Sequence, residues 1–455
     1  MHHTPSLDRS PRRRPGLRLG LALAACTSGG LAFADTVLVS AALEPGEGGN
    51  DHVLPTPSLS ADGRYVAFTS FASNLTDPMP NPNDDEPDVY VRDLLLGTTQ
   101  RISDPFDGGD YANARSTSPS ISANGRIVAF ASHASDLIEG DPPGFSTDIY
   151  VRDLDTGTIE RVSLALDGTS APNGESHGPD LSADGRMVAF HSRASDLAAG
   201  DVQDNQDDVF VHDRQTGVTL KLTPDADSFS NSAAISADGR HVAFKSRATN
   251  LVPGDGNERD DVFVHDLDSG VTSLASVAFD GGGADSYSEN PALSADGQRV
   301  AFTSPATNLV EGGDGNDFAD VFVRDRVTGT TVLVSRGWDG SPADEHSYDA
   351  CLSDDGTIVA FHSDASNLVE YDANGHGRDV FVHDLGTGQT RLASRTLDGG
   401  SGDGTSENCG LSGDGRHVAF ESNVANLVAS DPNGTTNDIF RADAGGDRIF
   451  DDGFE

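Results

Sequence analysis

Leu59-Ser60-Ala61-Asp62-Gly63-Arg64-Tyr65-Val66-Ala67-Phe68 decides the fold, because the chain repeats this stretch in seven variants. The counterparts begin at Ile121, Leu181, Ile235, Leu293, Leu352 and Leu411, at spacings of 62, 60, 54, 58, 59 and 59 residues. A period of that length means an array of one supersecondary unit rather than a few unrelated domains. Each unit reads as four short strands, A to D. In unit four, strand A is about Ala233–Ser236 and Ala237-Asp238-Gly239 is a tight turn. Strand B is His241–Ser246, strand C Asp261–Asp266 and strand D Thr272–Ser276, the last two joined through Asp268-Ser269-Gly270. Glycine suits both turns because it tolerates the positive φ of short hairpins.

Strands B and C are apolar on both faces, as in Val242-Ala243-Phe244 and Val262-Phe263-Val264. A sheet wetted on one side alternates apolar and polar residues instead. Sheets covered on both sides by copies of themselves form the blades of a propeller. The expected fold is therefore all-β: a seven-bladed β-propeller with four antiparallel strands per blade. Thr36-Val37-Leu38-Val39-Ser40 is identical to Thr331-Val332-Leu333-Val334-Ser335, the fourth strand of unit five, whereas the last unit stops soon after its third strand. The N-terminal strand is expected to complete blade seven and remove the free sheet edges. Arg448-Ile449-Phe450 is the competing candidate.

The run Ser-Ala-Asp-Gly-Arg-x-Val-Ala-Phe followed by Asp-Val-Phe-Val-x-Asp-Leu resembles the TolB-like propeller repeat, over about residues 36–443. That resemblance implies the propeller fold. A blade strand follows the leader directly, without the N-terminal α/β domain of TolB, so no role in the Tol–Pal envelope system carries over.

Residues 1–34 read as an export signal, with Arg12, Arg13, Arg14 and Arg18 before the apolar run Leu19 to Ala25 and a small-residue site at Ala32-Phe33-Ala34. Leu23-Ala24-Ala25-Cys26 also fits a bacterial lipoprotein box, so membrane attachment is expected only if Cys26 is lipidated. The expected organisation is signal 1–34, propeller 35–443 and acidic tail 444–455, in a periplasmic or secreted monomer. With 73 acidic and 30 basic residues and a net charge of −43, the surface repels nucleic acid and favours cationic partners or divalent metal. Cys351 and Cys409 could pair in an oxidising compartment. Their repeat positions differ by one residue, which would turn them to opposite faces of their strands.

Strand order places the long B–C and D–A loops on one face, where a scaffold presents binding residues. The Asn or Asp before a fixed Leu (Asn74, Asp136 and Asn250 among them) and the Asp opening every strand C recur in all units, so both are assigned to structure. Asp255/Asn257, Asp314/Asn316, Asp372/Asn374 and Asp431/Asn433 follow an Asp-x-Asn pattern. That spacing aims oxygens at a common point, as calcium loops do, and calcium is the cofactor it would hold; turn formation by the same side chains is the other reading. His52, His177 and His346 lie in D–A loops beside Asp51, Glu175 and Glu345, near the channel mouth. With Glu289, Asn290 and Glu407 they are the expected binding pocket. Gly174-Glu175-Ser176-His177-Gly178 fits a nucleophile elbow, but that chemistry needs a parallel sheet and a following helix, so Ser176 is assigned to a solvated loop. His212, His265 and His383 share one strand C position with Arg92, Arg152 and Arg324, which points to a solvated face. The leading functional expectation is a non-catalytic propeller that presents an acidic loop face to a protein, peptide or glycan. The alternative is a metal-dependent polysaccharide lyase or hydrolase with its site at the channel mouth.

Overall fold

The computed structural model describes residues 36–44, 47–76, 86–109, 111–141, 146–199, 205–253 and 255–444. The expected export signal 1–34 with Cys26, and residues 445–455 with Arg448–Phe450, lie outside them. Seven four-stranded antiparallel sheets follow one another along the chain. Their innermost strands, A, are Val53–Leu59, Ser116–Ile121, Ser176–Leu181, Ser230–Ile235, Glu289–Leu293, Ser347–Leu352 and Ser406–Leu411. Strand B carries the Val-Ala-Phe core: Val188, Ala189 and Phe190 in blade three are fully buried, as are their equivalents in the other blades. Each strand B Phe stacks on the aromatic residue facing it in strand C, as Phe190 does on Phe210 at 5.8 Å between ring centres. Burial of one such ring stabilises the fold by about 2 kcal/mol.

The N-terminal strand closes the ring. Val37 and Leu38 pair antiparallel with Arg441 and Phe440 of the last blade, and the Val39 N–H donates to the Ile439 carbonyl at 2.7 Å. On the opposite, short-turn face, backbone bonds link consecutive blades, from Ala61 N–H to the Ala123 carbonyl round to Asp414 N–H on the Ala61 carbonyl. Peptide groups that would otherwise be orphaned next to the axis are satisfied by this circuit.

Strand A departs from the sequence expectation. In blade four it runs from Ser230 to Ile235 and is bulged, its pairing shifting register between Asn231 and Ala234. Ser232 in the bulge has a φ of 53°, and Ser118, Gly178, Asn290, Asp349 and Asn408 take the same left-handed conformation at the same place. Small or locally hydrogen-bonding residues tolerate this backbone, and such a bulge bends the strand that carries it.

Cys351 and Cys409 meet instead of pointing apart: their Sγ atoms are 3.6 Å apart, and both are free thiols. The two residues lie on inner strands of adjacent blades, so the strand faces that meet are opposite ones. A one-residue offset therefore brings the side chains together.

Candidate functional site

The long loops are clamped together at fixed points. The Asn74 carboxamide oxygen accepts from the Asn50 N–H, and the Asn50 carboxamide oxygen in turn accepts from the Ser73 N–H. The same exchange joins Asp227 with Asn250 and Thr249, and Asp285 with Asn308 and Thr307. The recurring Asn or Asp before the fixed Leu is thus a clamp between a D–A loop and the B–C loop beside it. Above the clamps, Phe106, Leu166, Phe279, Trp338 and Leu397 are exposed at one repeated position, in an apolar-Asp-Gly pattern.

Each strand C opens on a buried Asp with one oxygen bonded to a strand D hydroxyl, from Ser103 on Asp88 in blade one to Ser40 on Asp438 in blade seven. The other oxygen is treated differently around the ring. In blade two, Arg161 donates to Asp141 at 2.5 Å and lies 3.8 Å from Asp148. In blade three, Lys221 sits 2.7 Å from Asp208. In blade four, the Asn257 amide donates to Asp261 at 2.7 Å. In blades five, six and seven, Oδ2 of Asp320, Asp379 and Asp438 is buried and makes no close hydrogen bond, and the side-chain amides of Asn316, Asn374 and Asn433 are the groups that face these acids. Burial above all, and the facing Asp314 or Asp372 carboxylate in addition, push Asp320 and Asp379 up to about 7.

The Asp-x-Asn pairs form turns and also reach beyond them. The Asn316 and Asn374 N–H groups donate to Asp314 and Asp372, both at 3.2 Å. The side-chain amides of Asn257, Asn316 and Asn433 donate to the carbonyls of Ala284, Ala343 and Gly49. Burial is the main cause that raises Asp255, Asp314, Asp372 and Asp431. Among the described residues no three His, Cys, Asp or Glu side chains converge as a metal centre.

At the loop-face end of the inner strands of blades five, six and seven, the residues that follow the repeated serine (Ser288, Ser347 and Ser406) are Glu289, Tyr348 and Glu407, facing Thr303, His362 and Glu421 of strand B. Arg378 donates to Asp364 at 2.9 Å and to Glu407 at 2.6 Å, and its guanidinium lies 5.5 Å from the Tyr348 ring centre. Tyr348 stacks on His346 at 5.6 Å and tilts against His362 at 5.5 Å. Asn290 donates to Asp349 across the blade boundary, and Lys245 lies 3.5 Å from Glu289. Burial, aided by the Arg378 charge, pulls His362 down to about 4. Burial raises Glu421, with the Asn437 and Asn408 amides opposing.

The structure therefore joins His346, Glu289, Asn290 and Glu407 into one connected patch, and Glu345 lies within electrostatic reach of Tyr348. His52 instead pairs with Asp51 at 2.6 Å and stacks on Phe71. His177 lies 3.5 Å from Glu175 and packs near His191. Among the described residues no hydrogen bond or ring contact joins any two of His52, His177 and His346. Tyr348, His362, Asp364 and Arg378 were not singled out from the sequence. Their signal was variation in an otherwise constant repeat: the strand B position of His362 holds Thr69, Ala131, His191, Lys245, Thr303 and Glu421 elsewhere.

Two expectations are corrected. Ser176 is fully buried at the start of its strand and donates to Ser192 at 3.0 Å, a pair repeated as Ser116–Ser132 and Ser230–Ser246. The elbow-like pattern thus falls on a structural serine. His212 and His383 are buried, not solvated, and each ring lies 2.9 Å from a strand D threonine, Thr219 or Thr390. Arg92 and Arg324 donate to Thr99 and Thr331 in the same way. Arg and His interchange there because both can donate a hydrogen bond to that hydroxyl.

No protein-family model matches the chain. A stretch of 114 residues is 28% identical to the Tol-Pal system protein TolB of Francisella tularensis subsp. tularensis (strain WY96-3418), covering 25% of this chain and 20% of that one. The fold is similar to the β-propeller domain of the Trilobed protease from Pyrococcus furiosus, with 13% identity, a TM-score of 0.51 and coverage of 89% of this chain and 97% of that one. It is equally similar to an oligogalacturonate lyase in complex with manganese, with 11% identity, a TM-score of 0.51 and coverage of 90% and 98%. Likeness at these identities is likeness of fold, and it spans proteins of different chemistry. The chain is a seven-bladed β-propeller, a quarter of which is similar in sequence to TolB.

Proposed function

We propose that this propeller is an extracytoplasmic binding module that takes a cationic polypeptide segment of a partner at the channel mouth of blades five to seven. The observation that carries this reading is the placement of Glu289, Tyr348 and Glu407 at one position of three consecutive inner strands. Two carboxylates flanking an aromatic ring suit arginine or lysine side chains, as the chain's own Lys245 and Arg378 illustrate by lying against Glu289 and Glu407. The net charge of −43 adds long-range attraction for the same class of ligand and repels anionic polymers. The leader-like residues 1–34 support the extracytoplasmic location.

Fluorescence anisotropy of the full chain with arginine-rich and glutamate-rich peptides of equal length tests the proposal. Arginine-rich peptides are expected to bind, and Glu289→Gln with Glu407→Gln to weaken them at least tenfold. Cleavage of a uronic-acid polymer in the presence of manganese, without peptide binding, would decide instead for a metal-dependent lyase at this mouth.

A further inference from the structure

We propose that blades five, six and seven each hold a calcium ion between the Asp of the B–C loop and the Asp that opens strand C. In blade six the Asp372 Oδ2, Asn374 Oδ1 and Asp379 Oδ2 atoms are all buried and have no hydrogen-bond partner. Blade five leaves Asp314 Oδ2 and Asp320 Oδ2 in that state, and blade seven Asn433 Oδ1 and Asp438 Oδ2. The strand C acids are closed off from solvent, with Asp320 and Asp438 at 0% exposure and Asp379 at 1%. Buried carboxylate oxygens without a partner are strongly unfavourable, so a cation is expected beside them.

The other blades provide an internal control. One strand D position faces the strand C aromatic in every blade: Arg101 opposite Tyr90, Arg161 opposite Tyr150 and Lys221 opposite Phe210 in blades one to three. The equivalents in blades five to seven are Leu333, Leu392 and Leu38. Arg161 shows what the basic side chain does, for it bonds to Asp141 and approaches Asp148, the same pair of acids that blade six presents as Asp372 and Asp379. Asp141 precedes its strand C Asp by seven residues, as do Asp372 and Asp431. In blades two and three the basic side chain reaches the strand C acid, whereas blades five to seven carry leucine there and offer that acid only the side-chain amide of Asn316, Asn374 or Asn433. Blade four lies between these cases, with leucine at Leu274 and the Asn257 amide on Asp261.

The donor set selects the ion. The free oxygens are two carboxylates and an amide in blade six, two carboxylates in blade five, and a carboxylate and an amide in blade seven. All are hard ligands with no nitrogen or sulfur among them, which suits calcium. The rest of its six to eight ligands would be loop carbonyls and water. These residues lie outside the patch of Tyr348 and Arg378, so the outcome is independent of the peptide-binding reading.

Calorimetric titration of the chelator-treated full chain with calcium chloride tests this. The wild type is expected to take up three ions, and its melting temperature to rise with millimolar calcium and not with sodium at matched ionic strength. Asp372→Asn should reduce uptake from three to two. Leu392→Lys, which copies the blade three arrangement of Lys221 and Asp208, should also reduce uptake to two while the calcium-free melting temperature stays at or above that of the wild type. Absence of calcium uptake, uptake of three ions by both variants, or equal stabilisation by sodium would each overturn the proposal.

Discussion

Ser40 donates its hydroxyl hydrogen to the Asp438 carboxylate at 2.5 Å, a bond between residues 398 positions apart. The serine also accepts the Ile439 N–H at 3.1 Å. Loss of this hydroxyl leaves a buried acid short of a donor, so Ser40→Ala is expected to cost about 1–3 kcal/mol. Deletion of Thr36–Ser40 exposes a whole strand edge and should cost more. Urea denaturation measures both. A deletion variant as stable as the wild type would mean that another segment, such as Arg448–Phe450, takes the place of the strand.

Ser176→Ala should destabilise the fold by about 1 kcal/mol through loss of its bond to Ser192. Ser192→Ala should cost more, because that hydroxyl also donates to the Glu175 carbonyl and accepts the Ala194 N–H. An esterase activity that vanished in Ser176→Ala at unchanged stability would contradict the structural role.

Arg378 neutralises two acids of the mouth, Asp364 and Glu407. In Arg378→Gln those carboxylates become available to a ligand, so the affinity of an arginine-rich peptide should increase severalfold where Glu407→Gln decreases it. The pairs are partly exposed, so the stability change should be within about 1 kcal/mol. Weaker peptide binding in Arg378→Gln would show that the arginine itself contacts the ligand.

His362 is buried and held down to about 4, against 6.5 for a free side chain. A depressed folded-state value means that the unfolded chain takes up the proton first, so this contribution is complete above pH 6.5 and is lost as pH falls towards 4. The loss amounts to about 3 kcal/mol at full protonation. Buried acids such as Asp88, raised to about 6, act in the opposite direction over the same range. The measurement is therefore a difference: between pH 6.5 and 4, His362→Gln should lose less stability than the wild type. Parallel pH profiles would show that the ring protonates freely in the folded state.

The sequence by itself determined the number of blades and the order of their strands, and it narrowed the strand that closes the ring to two candidates. These follow from local pattern: two-sided apolar strands, Asp-Gly turns and a stray copy of a fourth strand at Thr36–Ser40 are all legible within a few residues. The pairing of Val37 and Leu38 with the last blade chose between the two candidates. The bulge at Ser232 was not legible, because the residue at that place changes from blade to blade, from Ser118 to Gly178, Asn290 and Asp349, and carries no common signature. Only the tertiary structure brought Cys351 to Cys409, Tyr348 to Arg378, and Arg161 between Asp141 and Asp148. It also turned Ser176 from a loop residue into a buried partner of Ser192. The physical reason is the same in each case. A repeat reveals what every blade shares, whereas a site is made by the residues in which blades differ, and their contacts depend on which faces and edges the closed ring sets side by side.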